Sequence, residues 1–148
     1  MQKTTVDEIL DFAIAGEKAA TAFYLELAAK MDNGAMKKVF EDFAAEEKKH
    51  EAILHGIKEG QAIESEEVAD LKIADYVVDS EPRPDMEYQD ALILAMKREK
   101  AACAMYNQMA AVTQNQQTRE TFLMLAREEA KHKLYFETEY DQVVLKDN

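Results

Sequence analysis

The chain has 148 residues, of which 47% are hydrophobic, and a formal net charge of −12. That length suits one domain with a substantial core, and the acidic balance argues against the basic footprint of a nucleic-acid binder. Four glycines and two prolines are too few for a turn-rich all-β protein, whereas the dominant Ala, Glu, Lys, Leu and Met favour helix.

The first periodic segment follows Thr5-x-x-Glu8, a capping-box pattern. Its stripe reads Leu10, Ala13, Glu17, Ala20, Tyr24, Leu27, Met31, stepping by three and four residues as one face of a helix does. Asp32-Asn33-Gly34 breaks the pattern. The second stripe reads Met36, Phe40, Phe43, Glu47, His50, Leu54, Ile57. A long connection then runs from about Glu59 to Pro84. It carries Val68, Leu71, Ile73, Tyr76, Val77 and Val78, too apolar for a disordered linker, and a short helix is expected near Val68–Val78. Glu81-Pro-Arg-Pro-Asp85 punctuates the start of the third segment, whose stripe is Leu92, Ala95, Glu99, Ala102, Tyr106, Met109, Thr113. After Thr113-Gln-Asn115-Gln the fourth stripe reads Thr118, Phe122, Leu125, Glu129, His132, Phe136.

The links within the first and last helix pairs are short, so each pair should form an antiparallel hairpin. The long middle connection is enough to return along a helix of ~36 Å, the length of about 24 residues. The expected fold is all-α: a four-helix bundle of two hairpins joined by one long crossover, with residues 1–148 as a single domain.

The second half repeats the first at a constant offset of 82 residues (99 − 17, 129 − 47 and 132 − 50). The offset carries Glu17 onto Glu99, Glu47-Lys-Lys-His50 onto Glu129-Ala-Lys-His132, and Tyr24 onto Tyr106. It also carries Phe40 onto Phe122, Ala44 onto Ala126 and Glu46 onto Glu128. Four carboxylates and two imidazoles thus interrupt stripes that must pack. Most of the 30 acidic residues are expected on solvated faces. These four are different, because a buried, unpaired carboxylate costs several kcal/mol or more. Two divalent cations would neutralise them. Residues three apart share a helix face about one turn apart, so Glu47 with His50, and Glu129 with His132, can address one ion each. Glu47 and Glu129 could bridge two ions, with Glu17 and Glu99 on one ion apiece. Mixed oxygen and nitrogen ligation suits iron or manganese and argues against copper.

Gly16-Glu17-x6-Tyr24, Ala45-Glu46-Glu47-x-x-His50, Glu99-x6-Tyr106 and Glu128-Glu129-x-x-His132 resemble the ferritin-like superfamily, most closely its rubrerythrin-like branch, over residues from about 5 to 142. The resemblance implies metal ligands Glu17, Glu47, His50, Glu99, Glu129 and His132. It implies a di-iron centre, with manganese or mixed iron–manganese as alternatives, that works on peroxide or dioxygen. Two features depart from the family. Rubrerythrins usually carry a second carboxylate three residues after the Glu99 position, and here it is Ala102. They also usually carry a rubredoxin domain with four cysteine ligands, whereas this chain has only Cys103. An electron donor would then be a separate rubredoxin-like protein or flavoprotein. A homodimer is expected from the resemblance alone.

Tyr24 and Tyr106 lie two turns beyond Glu17 and Glu99, where they either hydrogen-bond ligand carboxylates or simply pack with their hydroxyls satisfied locally. Glu46 and Glu128 could hold the outer ring N–H of a histidine in the opposite hairpin, or stand in solvent. Cys103 reads as a small packing residue, His55 as a surface residue, and the eight methionines mainly as core filler. One cysteine permits no intrachain disulfide, and a reducing cytoplasm is expected. No apolar run approaches the roughly 20 residues that span a bilayer, and the N-terminal residues lack the apolar stretch of a secretory signal. The leading expectation is reduction of hydrogen peroxide or dioxygen. The alternatives are ferrous-iron oxidation and handling, or hydroxylation of an organic substrate, for which the sequence identifies no pocket. A metal-stabilised scaffold is the non-enzymatic reading.

Overall fold

The asparagine that ends each interhelical break starts the helix that follows. Asn33 Oδ1 accepts the backbone N–H groups of Ala35 (2.8 Å) and Met36 (3.3 Å). Asn115, 82 residues later, accepts that of Thr118 at 3.0 Å. Side-chain oxygens at this place satisfy N–H groups that the first helical turn leaves without partners. The computed structural model describes residues 3–60, 67–69 and 87–147, with side chains placed for 7–60 and 87–145.

Among the described residues four helices result: α1 (Val6–Ala29), α2 (Gly34–Gly60), α3 (Tyr88–Val112) and α4 (Gln116–Asp147). α1 pairs with α2 and α3 with α4, so the two expected hairpins form. α1 begins directly after Thr5, where the sequence places the capping box, and the Thr5 side chain itself lies outside those described. The C-terminal end of α3 is held by Arg119 of α4, whose Nε and Nη2 donate to the Thr113 carbonyl at 3.0 and 2.7 Å. α4 runs eleven residues past Phe136, the last position of its stripe. Tyr140 and Val143 there pack onto the core beside Tyr88.

Part of the crossover differs from expectation. Glu67–Ala69 is a short strand, β2, paired antiparallel with β1 (Lys3–Thr5) in the register Thr4↔Val68. Val68 therefore does not open a helix. Three residues of backbone ladder tie the crossover to the chain entering α1, a pairing that helical periodicity does not reveal. The rest of the expected helix, residues 70–78, and the Pro82–Pro84 punctuation lie outside the described residues.

The core is two apolar clusters with a polar layer between them. One holds Leu10, Ala13, Leu54, Tyr106, Phe122 and Ala126. The other holds Leu92, Ala95, Phe136, Tyr24, Phe40 and Ala44. Each residue of the first is 82 positions from its counterpart in the second. The internal repeat therefore exchanges the clusters about a pseudo-twofold axis and leaves the polar layer on that axis. Phe136 of α4 knits the hairpins together, stacking on Phe40 of α2 (ring centroids 6.1 Å apart) and on Tyr24 of α1 (5.7 Å).

Candidate metal centre

All six residues of the repeated ligand pattern meet in the polar layer. Glu47, Glu99 and Glu129 are each 1% exposed, and Glu17 (3%), His132 (3%) and His50 (5%) are little more so. α1 contributes Glu17, α2 Glu47 and His50, α3 Glu99, and α4 Glu129 and His132. The two imidazoles stack nearly parallel across the axis, with ring centroids 6.5 Å apart and planes at 15°.

The contacts are reciprocal between hairpins. His50 Nδ1 is 2.7 Å from Glu129 Oε1, and His132 Nδ1 is 3.0 Å from Glu47 Oε1. His50 Nδ1 also stands 3.7 Å from Glu17 Oε2, and His132 Nδ1 3.5 Å from Glu99 Oε1. None of the inward atoms is aligned for a hydrogen bond. Glu17 Oε2, Glu47 Oε1, His50 Nδ1, Glu99 Oε2, Glu129 Oε1 and His132 Nδ1 are all buried without a hydrogen-bond partner, one atom from every residue of the pattern. Orphaned polar atoms in such a place are costly, and a cation satisfies them all at once.

The donors form two overlapping sets. Glu17, Glu47, His50 and Glu129 offer atoms within 4.8 Å of one another, and so do Glu47, Glu99, Glu129 and His132. First-row divalent ions hold nitrogen and oxygen at about 2.0–2.2 Å, so donors on opposite sides of one ion stand about 4.2 Å apart. Each set gathers four donors closely enough to converge on one ion. Glu47 and Glu129 belong to both, the position of bridging carboxylates.

Both tyrosines reach the site, each from the opposite hairpin. Tyr106 donates its hydroxyl to Glu17 Oε1, and Tyr24 donates to Glu99 Oε1. Each terminal glutamate is thereby divided, with one oxygen on a tyrosine and the other turned inward. Burial, then the neighbouring carboxylates, push both phenols well above their ordinary pKa, so they remain protonated donors. Burial and the other acids likewise raise the Glu47 and Glu129 carboxyls. Burial pulls the His132 imidazole down, but the Glu47 and Glu99 carboxylates outweigh it and push it up to about 11. In the metal-free cluster, protons therefore compete for the places of cations.

The two histidines are backed differently. His132 Nε2 donates to Glu46 Oε2 at 2.5 Å, fixing Nδ1 as the inward atom. Glu128, the repeat counterpart of Glu46, instead stands 3.6 Å from the Lys131 amine. Other residues follow their plain readings. Cys103 is half-buried, its thiol pushed up by burial and contacted by Asn107 Nδ2 at 3.7 Å. His55 pairs with Glu51 one turn away on α2 at 3.2 Å.

Periodicity did not reveal a cavity of about 250 Å³ that opens onto Glu17, Glu47, Glu99 and Glu129. Phe12, Gly16, Ala20, Arg98, Ala102 and Met105 help line it. The only sequence signal for it is the small residues flanking each terminal glutamate.

The rubrerythrin family profile matches residues 8–140. The chain belongs to the rubrerythrin family. Its fold is also that of a Thermotoga maritima crystal structure described as a candidate ferritin-like diiron-carboxylate protein. That protein has 22% sequence identity and a TM-score of 0.85, with 97% of this chain and 99% of that one covered. A hypothetical protein from Pyrococcus furiosus is 28% identical with a TM-score of 0.73, covering 93% of this chain and 89% of that chain. No curated protein matches the sequence. This rubrerythrin-family chain is thus an all-α, ferritin-like four-helix bundle with a carboxylate–histidine cluster suited to two metal ions. Among the described residues no helix is long and apolar enough to cross a membrane.

Proposed function

We propose that the chain is a di-iron oxidoreductase that reduces hydrogen peroxide, or dioxygen, with electrons from a separate donor protein. The observation that carries this reading is the convergence of six unpaired, buried donor atoms in two overlapping sets. Glu17, Glu47, His50 and Glu129 would hold one iron, and Glu47, Glu99, Glu129 and His132 the other. Manganese, or one ion of each, would satisfy the same donors.

Two ferrous ions would supply the two electrons needed to convert H2O2, with two protons, into two waters. The protein holds four carboxylates against four positive charges, so that the loaded site is close to neutral. The Tyr24 and Tyr106 hydroxyls fix the outer oxygens of Glu99 and Glu17 and keep the inner ones aimed inward. The packed clusters close the two ends of the ligand layer, which leaves the cavity beside Glu17 and Glu99 as an approach to it. Re-reduction calls for a rubredoxin-like protein or flavoprotein. A homodimer working in the cytoplasm completes the proposal.

The test is anaerobic loading with two Fe(II) per chain, followed by visible absorbance after peroxide or air is added separately. Fast oxidation by peroxide and slow oxidation by air support the proposal. Fast oxidation by air transfers the assignment to ferrous-iron oxidation. Failure to take up two ions, with Fe(II) and with Mn(II), removes the dimetal reading altogether.

A further inference from the structure

The two open sides of the ligand layer are closed unequally. Between α2 and α4, Phe43 packs over the His132 ring with centroids 4.4 Å apart, and Tyr135 meets Phe43 edge-on at 5.2 Å. Between α1 and α3 alanines and Gly16 take up part of the wall, and the cavity of about 250 Å³ remains, partly open at the surface. Ala20 and Ala102, repeat counterparts, are part of its wall. Gly16 breaks the repeat, since its counterpart is Arg98. A Cβ built on Gly16 meets nothing within 4 Å, so the missing side chain leaves open space at the rim.

The cavity is far larger than the proposed oxidants require. Hydrogen peroxide and dioxygen have two heavy atoms each, whereas an apolar cavity of about 150 Å³ is enough to hold benzene. The four glutamates form the part of its wall where two ions would be held. The remainder is walled by alanines, Phe12 and Met105. Apart from the four glutamates, the one charged side chain among the described residues of its lining is Arg98, whose guanidinium lies 5.0 Å from the centre of the Phe23 ring. A charged guest would lose its hydration against walls that mostly cannot replace it, whereas an apolar guest gains by burial.

We propose that this α1–α3 cavity binds a small, uncharged, mainly apolar organic molecule, about the size of a substituted aromatic ring, against the metal pair. The proposal rests on the dimetal reading, because only neutralised carboxylates make that end of the cavity hospitable to such a guest. It assigns a binding site, with the guest lying beside Glu17 and Glu99.

The probe is fluorobenzene, followed by fluorine NMR on protein loaded with two redox-silent Zn(II) ions, with zinc measured in the same samples. The expected result is saturable binding at one site per chain. Gly16→Leu, which fills the rim and replaces a helix-interior glycine by a better helix former, should weaken it at least tenfold. Ala102→Leu should do the same from the wall, and both variants should retain two zinc ions. Two bound zinc ions without saturable binding overturn the cavity proposal and leave the dimetal reading standing. Fewer than two ions bound, with Zn(II) and again with Fe(II) and Mn(II), overturn both. Benzoate binding more tightly than fluorobenzene overturns the uncharged assignment. Binding that survives both substitutions overturns the location.

Discussion

Glu46 of α2 lies 2.5 Å from the outer ring nitrogen of His132 in α4, whereas its repeat counterpart Glu128 is engaged with Lys131 instead of His50. The ligand layer is symmetric, but its support is not. A carboxylate behind a ligating histidine fixes the ring and raises its basicity, and loss of such a partner typically costs 10–100-fold in metal affinity. Glu46→Gln should therefore weaken one of the two metal positions by about that factor, while Glu128→Gln leaves both within about threefold. Equilibrium titration with Co(II), which reports each site by its visible spectrum, checks this. Equal effects of the two substitutions would show that the asymmetry has no energetic meaning.

The overlap of the donor sets makes a second prediction, about stoichiometry. Glu47 and Glu129 are common to both sets, whereas Glu17 belongs to one and Glu99 to the other. Glu47→Ala or Glu129→Ala should reduce tight binding from two ions per chain towards none. Glu17→Ala or Glu99→Ala should leave one tight ion. Metal analysis after gel filtration distinguishes the classes. The bridging assignment does not survive if all four variants retain one ion.

Proton competition gives the metal effect a pH dependence. Burial and mutual repulsion raise the Glu47 and Glu129 carboxyls, and the surrounding carboxylates raise His132 to about 11. The folded metal-free protein therefore holds more protons at these groups than the unfolded chain does. Their contribution to stability is fully present below the unfolded values, about 4.3 for Glu and 6.5 for His. For the glutamates it is lost as pH rises from there through their elevated folded values. For His132 it is lost between about 6.5 and 11. Metal-free protein should lose thermal stability from pH 5.5 to 8.5, and the gap to metal-loaded protein should widen over the same range. Calorimetry on both forms measures this, and proton release on metal binding should accompany it. A gap that narrows with pH would contradict the protonation assigned to the metal-free cluster.

The ligand layer was legible in the sequence because helical periodicity and burial conflict there. Glu47 and Glu129 occupy positions that packing reserves for apolar groups, and only a partner of opposite charge resolves the conflict. The offset of 82 then told that the two ligand sets face one another, whereas for the tyrosines it left a ligand carboxylate and local packing equally open, and their reach to the opposite hairpin was not foreseen. The β1–β2 ladder was not legible, since three-residue strands carry too little pattern. Nor was the different engagement of Glu46 and Glu128, whose sequence surroundings are alike. The cavity escaped for a similar reason: alanine at Ala20 or Ala102 is compatible with close packing as well as with space, and only the separation of α1 and α3 decides between them.

The last prediction concerns the tyrosines. Replacing Tyr106 by Phe keeps the ring against Phe122, 6.5 Å away between centroids, but leaves a buried Glu17 oxygen without its donor. A buried acceptor left unsatisfied costs about 1–3 kcal/mol, more when charged. Tyr24→Phe should do the same to Glu99, and the equivalence of the two under the repeat predicts losses of similar size. Both variants should still bind two ions, because the inward oxygens and imidazoles are untouched. Chemical denaturation of the metal-loaded proteins measures the loss. If either variant is as stable as the parent, the corresponding hydroxyl is not holding its carboxylate. If ions are lost along with stability, the tyrosines do more than orient the outer oxygens, and the inward geometry of Glu17 and Glu99 depends on them.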